Sequence, residues 1–212
     1  MIIHFWTDYA CPYCYIGKRH LMNALNALNI SEQVTIHHRV FQLEPGKVSH
    51  PERTFVEGLN LVTNEQKEHL KKTYARINRL AADAGLSYNL EGMRDVATMD
   101  CHRLTLWAEE QGKGQELSEC IYHAHFVENL DISDHNLLLA FIKELDLDTD
   151  AARAVLESNR YMDRIFEDDA ESAEKDIDLI PHFTFNGGFD VIGVVSRAQL
   201  EKALKEALAQ EK

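Results

Sequence analysis

Ile2-Ile3-His4-Phe5-Trp6-Thr7-Asp8-Tyr9-Ala10-Cys11-Pro12-Tyr13-Cys14 opens the chain, and its reading decides the fold. Residues 2–7 are β-branched and aromatic and run into a proline-containing turn, so a buried strand is expected there. From Cys11 onward the pattern becomes helical: Ile16, Leu21, Ala24, Leu25 and Leu28 share one face, and the run ends at Asn29. Val34, Ile36, Val40 and Phe41 mark a second strand, closed by Glu44-Pro45-Gly46. Strand, helix and strand in so short a span imply a crossover, which predicts parallel strands.

The middle of the chain changes character. Residues 47–62 carry Pro51 and mixed polarity and read as a loop or a frayed helix. Thr63-Asn64-Glu65-Gln66 is a capping box, and Gly85 is placed to end the helix it starts. Helical patterns follow over 98–111, 114–129 and 133–145, the last with Ser133 as N-cap. No strand is expected among them, so 45–145 is read as an all-helical insertion. Helices are also expected over 149–158 and 161–176. The second carries Glu167, Asp168, Asp169, Glu171 and Glu174, read as a solvated face.

Strand character returns at His182-Phe183-Thr184-Phe185 and again from Asp190 to Val194, with Asn186-Gly187-Gly188 as the hairpin turn between them. Ser196-Arg197-Ala198-Gln199 is another capping box, followed by a helix with Leu200, Ala203, Leu204, Ala207 and Leu208 on one face. The two β-containing ends, 1–44 and 146–212, are expected to build one sheet.

Composition narrows the function. The chain has 212 residues, 45% of them hydrophobic and 27% charged, with a net charge of −13. That charge repels phosphate backbones and anionic lipid, which argues against nucleic acid and membranes as partners. No stretch nears the roughly 18 apolar residues of a spanning helix. The first residues lack the basic segment of a secretory signal, so a cytoplasmic location is expected. In a reducing compartment the four cysteines are no disulfide framework.

Two of those cysteines form Cys11-x-x-Cys14. A zinc site would need a second pair, but Cys101 and Cys120 fall in different expected helices, and His123 and His125 point to different sides of one. No metal is expected, and Cys101 and Cys120 read as core residues. Cys11 closely follows a strand and starts a helix, where unpaired N–H groups and the macrodipole favour an anion, here a thiolate. Pro12 suits the first turn, where its missing N–H costs nothing. Cys14, one turn on, can reach Cys11, so the pair can exchange disulfides through a mixed-disulfide intermediate that Cys14 resolves. Tyr13, between them, would tune potential and partner contact. Asp8 is a candidate for proton transfer at Cys14.

With Ile180-Pro181 entering a late strand, these elements form the thioredoxin pattern. The chain resembles the DsbA family of thioredoxin-fold oxidoreductases, specifically its FrnE-like cytoplasmic branch. The resemblance rests on Asp8-Tyr9-Ala10-Cys11-Pro12-Tyr13-Cys14-Tyr15-Ile16-Gly17, Val40-Phe41-Gln42-Leu43-Glu44-Pro45 and Ile180-Pro181-His182-Phe183-Thr184-Phe185-Asn186-Gly187. His102-Arg103-Leu104 and Asp131-Ile132-Ser133-Asp134 add to it.

It implies an α/β thioredoxin-like fold, a mixed four-stranded sheet, with the helical insertion partly covering the active site. It also implies that Cys11 is the nucleophile, Cys14 the resolving cysteine and Pro181 a cis-proline, and that Ile180 offers its backbone to a bound peptide. Gly17 would permit close helix packing.

Tyr13 departs from the branch's frequent Trp. Cys-Pro-Tyr-Cys is also the dithiol glutaredoxin motif, which brings in glutathione as a reductant or co-substrate, no other cofactor being expected. His182 follows the proline where small or β-branched residues are usual; facing the cysteine pair, it would favour the Cys11 thiolate when protonated. The expected activity is thiol–disulfide exchange with protein or small-molecule partners. One alternative is a glutathione-dependent isomerase or transferase of the 2-hydroxychromene-2-carboxylate isomerase or kappa-class type, which usually carries Ser where this chain has Cys11. Another is a redox-switched binding module.

Overall fold

The computed structural model describes residues 1–185 and 188–210. In chain order its elements are β1 (Ile2–Thr7), α1 (Pro12–Leu28), β2 (Thr35–Val40), β3 (His50–Thr54), α2 (Phe55–Gly58), α3 (Asn64–Asp83), β4 (Arg94–Asp95) and α4 (Met99–Glu110). There follow α5 (Gly114–His123), which runs on as a π-helical turn over Ala124–Glu128, α6 (His135–Glu144), α7 (Thr149–Leu156), α8 (Met162–Glu174), β5 (His182–Phe185), β6 (Phe189–Ile192) and α9 (Arg197–Gln210). The chain divides into two compact units, Met1–Leu43 with Met162–Lys212, and Glu44–Tyr161.

The first unit is built on a four-stranded sheet in the order β2-β1-β5-β6. β1 runs parallel to β2, with Ile2 opposite Thr35 and Thr7 opposite Val40. It runs antiparallel to β5, with Trp6 opposite His182, and β5 pairs antiparallel with β6. The sheet is therefore mixed, and the two ends of the sequence meet along β1. Because side chains alternate, Phe5 and Phe183 share one face, where their rings stack 4.8 Å apart. That face carries α1, whose Gly17 lies against Phe183 and Pro181. α1 packs in turn with α9, through Leu200, Ala203, Leu204 and Ala207.

The opposite face carries Trp6 and Arg39, and here the acidic helix departs from its sequence reading. Asp168 of α8 is fully buried. Its carboxylate accepts from Arg39 Nε at 2.6 Å and from the Val40 backbone N–H at 2.7 Å. Arg39 also donates to Glu171, and its guanidinium lies 4.3 Å above the Trp6 ring. Gln42 Nε2 donates to Asp169 Oδ2 at 2.7 Å. Glu167 and Glu174 are exposed as expected, but Asp168, Asp169 and Glu171 are not a solvated face, because a buried arginine on the edge strand needs carboxylates beside it. Burial raises the Asp168 pKa, against the pull of the Val40 N–H and Arg39.

Local rules explain the ends of several elements. Thr63 and Gln66 form the reciprocal capping box at α3, and Gly85, with φ +80°, follows the helix's last turn. Ser196 and Gln199 exchange the same pair of bonds at α9. Asn29 closes α1 in the left-handed conformation. At α6 the N-cap is Asp134, which accepts from Asn136 N, rather than Ser133; Ser133 instead donates to Asp131 through its own backbone N–H and hydroxyl. The Asn186-Gly187 part of the expected hairpin turn lies outside the described residues.

The second unit is not all-helical. β3 and β4 form a small antiparallel pair, and Thr54 caps α2 in a capping box with Glu57. His50-Pro51-Glu52-Arg53 has no alternating apolar pattern, and β4 has two residues, so periodicity could not mark either strand. Asp95 of β4, itself buried, holds Lys47 at 2.7 Å and Arg53 at 2.5 Å. The unit also extends to Tyr161, beyond the 145/146 border expected from sequence. α7 packs against α4 and α6 through Ala152, Val155 and Leu156, which are buried. Arg103 of α4 binds the end of α7 directly, donating to the carbonyls of Val155, Ser158 and Arg160 and to Asp100.

Candidate active site

β1 delivers the chain to a short turn in which the Cys11 N–H donates to the Asp8 carbonyl at 3.1 Å. Cys11 is the N-cap of α1, in extended conformation, and Pro12 begins the helix. No acidic residue occupies the first turn of α1, so nothing there opposes the positive end of the helix. The Cys14 N–H donates to the Cys11 carbonyl at 3.1 Å, which folds the pair into that first turn.

Both cysteines are free thiols, Cys11 5% exposed and Cys14 fully buried. Burial pushes the Cys14 thiol well up, and its hydrogen bond to the Cys11 sulfur pushes it further, while contacts with the Thr7 side chain and the Asp8 backbone pull the other way. Cys14 is thus kept as a neutral thiol that donates to Cys11. The two sulfurs occupy distinct electrostatic positions in one dyad. Tyr13 and Pro12 are partly exposed beside them.

Asp8 is 2% exposed. Its carboxylate accepts from Ala10 N at 3.1 Å and from Leu43 N at 2.8 Å, while Phe41 N donates to the Thr7 carbonyl. The carboxylate therefore ties the cysteine turn to the chain leaving β2, and Tyr9 stacks on His38 of that strand at 5.7 Å. Thr7 is the residue that sequence reading missed. Its hydroxyl is at Cys14, and its place as the last residue of the strand that leads to the cysteines was the available signal.

The Ile180–Pro181 peptide bond is cis. The Pro181 carbonyl accepts from Gly193 N at 2.7 Å, which clips the start of β5 to the end of β6. The proline ring rests on α1: a Cβ at Gly17 would stand 2.8 Å from its Cγ. Ile180 is buried. The structure thus brings Pro181 against the helix that carries the cysteines.

His182 is placed differently from its expectation. Alternation along β5 sends its side chain to the face opposite Phe183, and hence opposite α1, together with Trp6 across the register. It is 4% exposed, and Nε2 lies 3.4 Å from Asp190 Oδ2. That contact does not satisfy Nε2 as a hydrogen bond. Cys101 is buried and its Sγ donates to the Ile132 carbonyl; Cys120 is partly exposed, and burial raises its pKa.

Among the described residues no three His, Cys, Asp or Glu side chains converge as a metal site, and no helix is long and apolar enough to cross a membrane.

Comparison with known proteins gives the same fold. The chain is 26% identical over 214 residues to YwbO of Bacillus subtilis (strain 168), an alignment spanning 97% of this chain and 98% of that one. The crystal structure of a probable DsbA oxidoreductase from Streptomyces coelicolor superposes with a TM-score of 0.84 at 28% identity, over 99% of this chain and 90% of that one. The cytosolic disulfide reductase DsbM of Pseudomonas aeruginosa, whose structures include one with GSH, superposes with a TM-score of 0.68 at 16% identity, over 99% of this chain and 100% of that one. The family model of the DSBA-like thioredoxin domain matches residues 2–205, and the chain belongs to that family.

Proposed function

We propose that the chain is a thiol–disulfide oxidoreductase working through Cys11 and Cys14. The observation that carries this reading is the asymmetry of the dyad: Cys11 caps a helix start free of acidic residues, while Cys14 is a buried thiol donating to it. In the reducing direction the Cys11 thiolate attacks one sulfur of a substrate disulfide. The substrate S–S bond breaks, a Cys11–substrate disulfide forms, and the other substrate sulfur leaves as thiolate. Cys14 then loses its proton to that leaving group and attacks Cys11 Sγ. The Cys11–Cys14 disulfide forms and the second substrate sulfur departs, so the substrate gains the two electrons that the dyad loses.

Pro12 and Tyr13 border the pair, and Pro181 lies against the same helix. We assign Ile180 and Pro181 the role of receiving an extended substrate segment through their backbone. Substrates are protein or small-molecule thiols and disulfides. Glutathione is the reductant to test first, since a protein of the same fold has been seen with it, and a reducing cytoplasm favours reductase duty. His182 is left supporting β5 from the far face beside Asp190, without contact to the sulfurs.

The test is a glutathione redox titration with thiol trapping, together with a Cys14→Ser variant. A potential near about −270 mV favours a reductase, and one above about −200 mV an oxidase or isomerase. Cys14→Ser is expected to accumulate a mixed disulfide at Cys11. A pair that forms no disulfide across the glutathione range overturns the reading.

A further inference from the structure

Asp8 lies in the turn between β1 and the cysteine helix, and three of its oxygens accept from backbone N–H groups. Its carbonyl takes the Cys11 N–H at 3.1 Å, Oδ1 takes Ala10 N at 3.1 Å and Oδ2 takes Leu43 N at 2.8 Å. The residue is 2% exposed. The amide of Cys11 and the amide just before it are therefore both bonded to Asp8. That fixes the carboxylate against the turn that carries the nucleophile, with the chain leaving β2 as its far anchor.

The bonds and the charge of this carboxylate act in different ways. Its bonds hold the turn in shape. Its charge works against a thiolate at Cys11. The first turn of α1 is free of acid, but Asp8 stands in the turn leading into it. Backbone N–H donors favour the ionised carboxylate, and burial takes away the water that would screen it. A second negative charge at Cys11 is then less favourable than the bare helix start would make it. The thiolate belongs to the dithiol form of the pair. Whatever disfavours the thiolate favours the disulfide, and a pair that holds its disulfide is a reductant when it starts as dithiol.

We propose that Asp8 is a positioning residue that sets the direction of electron flow: it holds the cysteine turn and keeps the Cys11–Cys14 pair on the reducing side. The role rests on the disulfide exchange proposed above and adds a direction to it. In exchange with glutathione, the Cys11–Cys14 disulfide and two glutathione thiols become the dithiol and one glutathione disulfide. Two electrons and two protons pass to the pair, and Asp8 displaces this equilibrium toward the pair's disulfide. Three other buried ionisable groups belong to the same elements: Cys14, Lys18 four residues beyond it on α1, and His38 on β2, which stacks on Tyr9. They are the same in parent and Asp8 variants, so the difference between the proteins reads Asp8.

The experiment is glutathione equilibration with thiol trapping of the full chain and of Asp8→Asn, Asp8→Ala and Asp8→Glu. Asn and Ala should each move the equilibrium about three- to tenfold toward the dithiol, and Glu, which keeps the charge, should stay within about twofold of the parent. Iodoacetamide alkylation of Cys11 at pH 6 should quicken in Asn and Ala. A merely structural role would carry Glu along with the others and slow alkylation as the helix start loosens. No shift in Asn and Ala, a shift toward disulfide, or a Glu variant that follows them overturns the proposal. Where the variants do not fold, the parent decides. In about 10 mM reduced and 0.1 mM oxidised glutathione it should be mainly disulfide, and a pair that is mainly dithiol there overturns the role of Asp8 while leaving the exchange activity standing. A pair that forms no disulfide even in oxidised glutathione alone overturns the exchange activity itself.

Discussion

A methyl group placed on Gly17 would stand 2.8 Å from Cγ of Pro181 and 3.3 Å from Cζ of Phe183. The helix bearing the cysteines thus lies directly on the proline before β5. Gly17→Ala should gain up to about 1 kcal/mol in helix propensity. It should lose about 1–3 kcal/mol to overpacking against a ring that cannot turn aside. The net expectation is a lower Tm and slower dithiol exchange, with Gly17→Val worse on both; thermal unfolding and an insulin-reduction assay read them. A Gly17→Ala protein at least as stable as the parent would contradict this packing.

Alkylation should follow the environments of the four thiols. In the native reduced chain Cys11 is expected to react first. Cys120, half-buried beside Glu116, Glu119 and Glu144, should follow slowly. Cys14 and Cys101 should stay protected until the chain is unfolded. Peptide mass mapping after a timed iodoacetamide pulse gives the order, and early labelling of Cys14 would contradict its burial.

The Arg39–Asp168 pair yields a stability prediction. Removing one partner leaves the other buried and uncompensated, which costs about 3–5 kcal/mol. Because Glu171 also holds Arg39, Asp168→Asn should fall at the lower end, about 3 kcal/mol. Arg39→Met combined with Asp168→Leu should recover much of the loss. Urea denaturation of the single and double variants checks both.

Acid should loosen the same corner. Arg39 and Lys175 hold the Glu171 carboxyl down at about 2, against an ordinary 4.5. A depressed carboxylate contributes stability that is fully present above its unfolded value. That contribution is lost as pH falls from about 4.5 through about 2. Glu171→Gln is expected to flatten this limb of the stability profile. An unchanged acid limb in the variant would mean that the pair contributes nothing.

Arg103 provides a test in the second unit. Its guanidinium spreads over three carbonyls in the last turn of α7 and just beyond it, a task for a planar fork that a lysine point charge cannot repeat. Arg103→Lys should therefore destabilise the chain nearly as much as Arg103→Met, as seen in thermal unfolding.

What sequence made legible follows the range of each interaction. β1, α1 and β2 could be read because their periods, caps and turn residues lie within a few positions of one another. So could the capping boxes at Thr63 and Ser196. The box at Thr54-Phe55-Val56-Glu57 has the same spacing, but it lies in a stretch whose Pro51 and mixed polarity read equally as a loop or a frayed helix. Asp168 reads as solvated for a different reason: its arginine partner lies 129 residues earlier, and no local pattern separates a buried aspartate from a solvated one. The Cys11–Cys14 dyad was legible as a motif. Its supports at Thr7 and Asp8 became specific only once the chain leaving β2 was seen to close on them. The orientation of His182 needed the pairing of β5 with β1, which two segments so distant in sequence do not announce.

That pairing has a consequence for how the protein is made. Trp6 stands opposite His182 in the register, so the strand leading to the cysteines gains its second neighbour only from the last part of the chain. On a ribosome, Cys11 and Cys14 emerge well before the proline that rests on their helix is translated. A nascent or truncated chain therefore displays two thiols without the site that disciplines them. The environment of the two sulfurs is completed only when β5 and Pro181 have been made, which makes the finished sheet a checkpoint on the state of the cysteines.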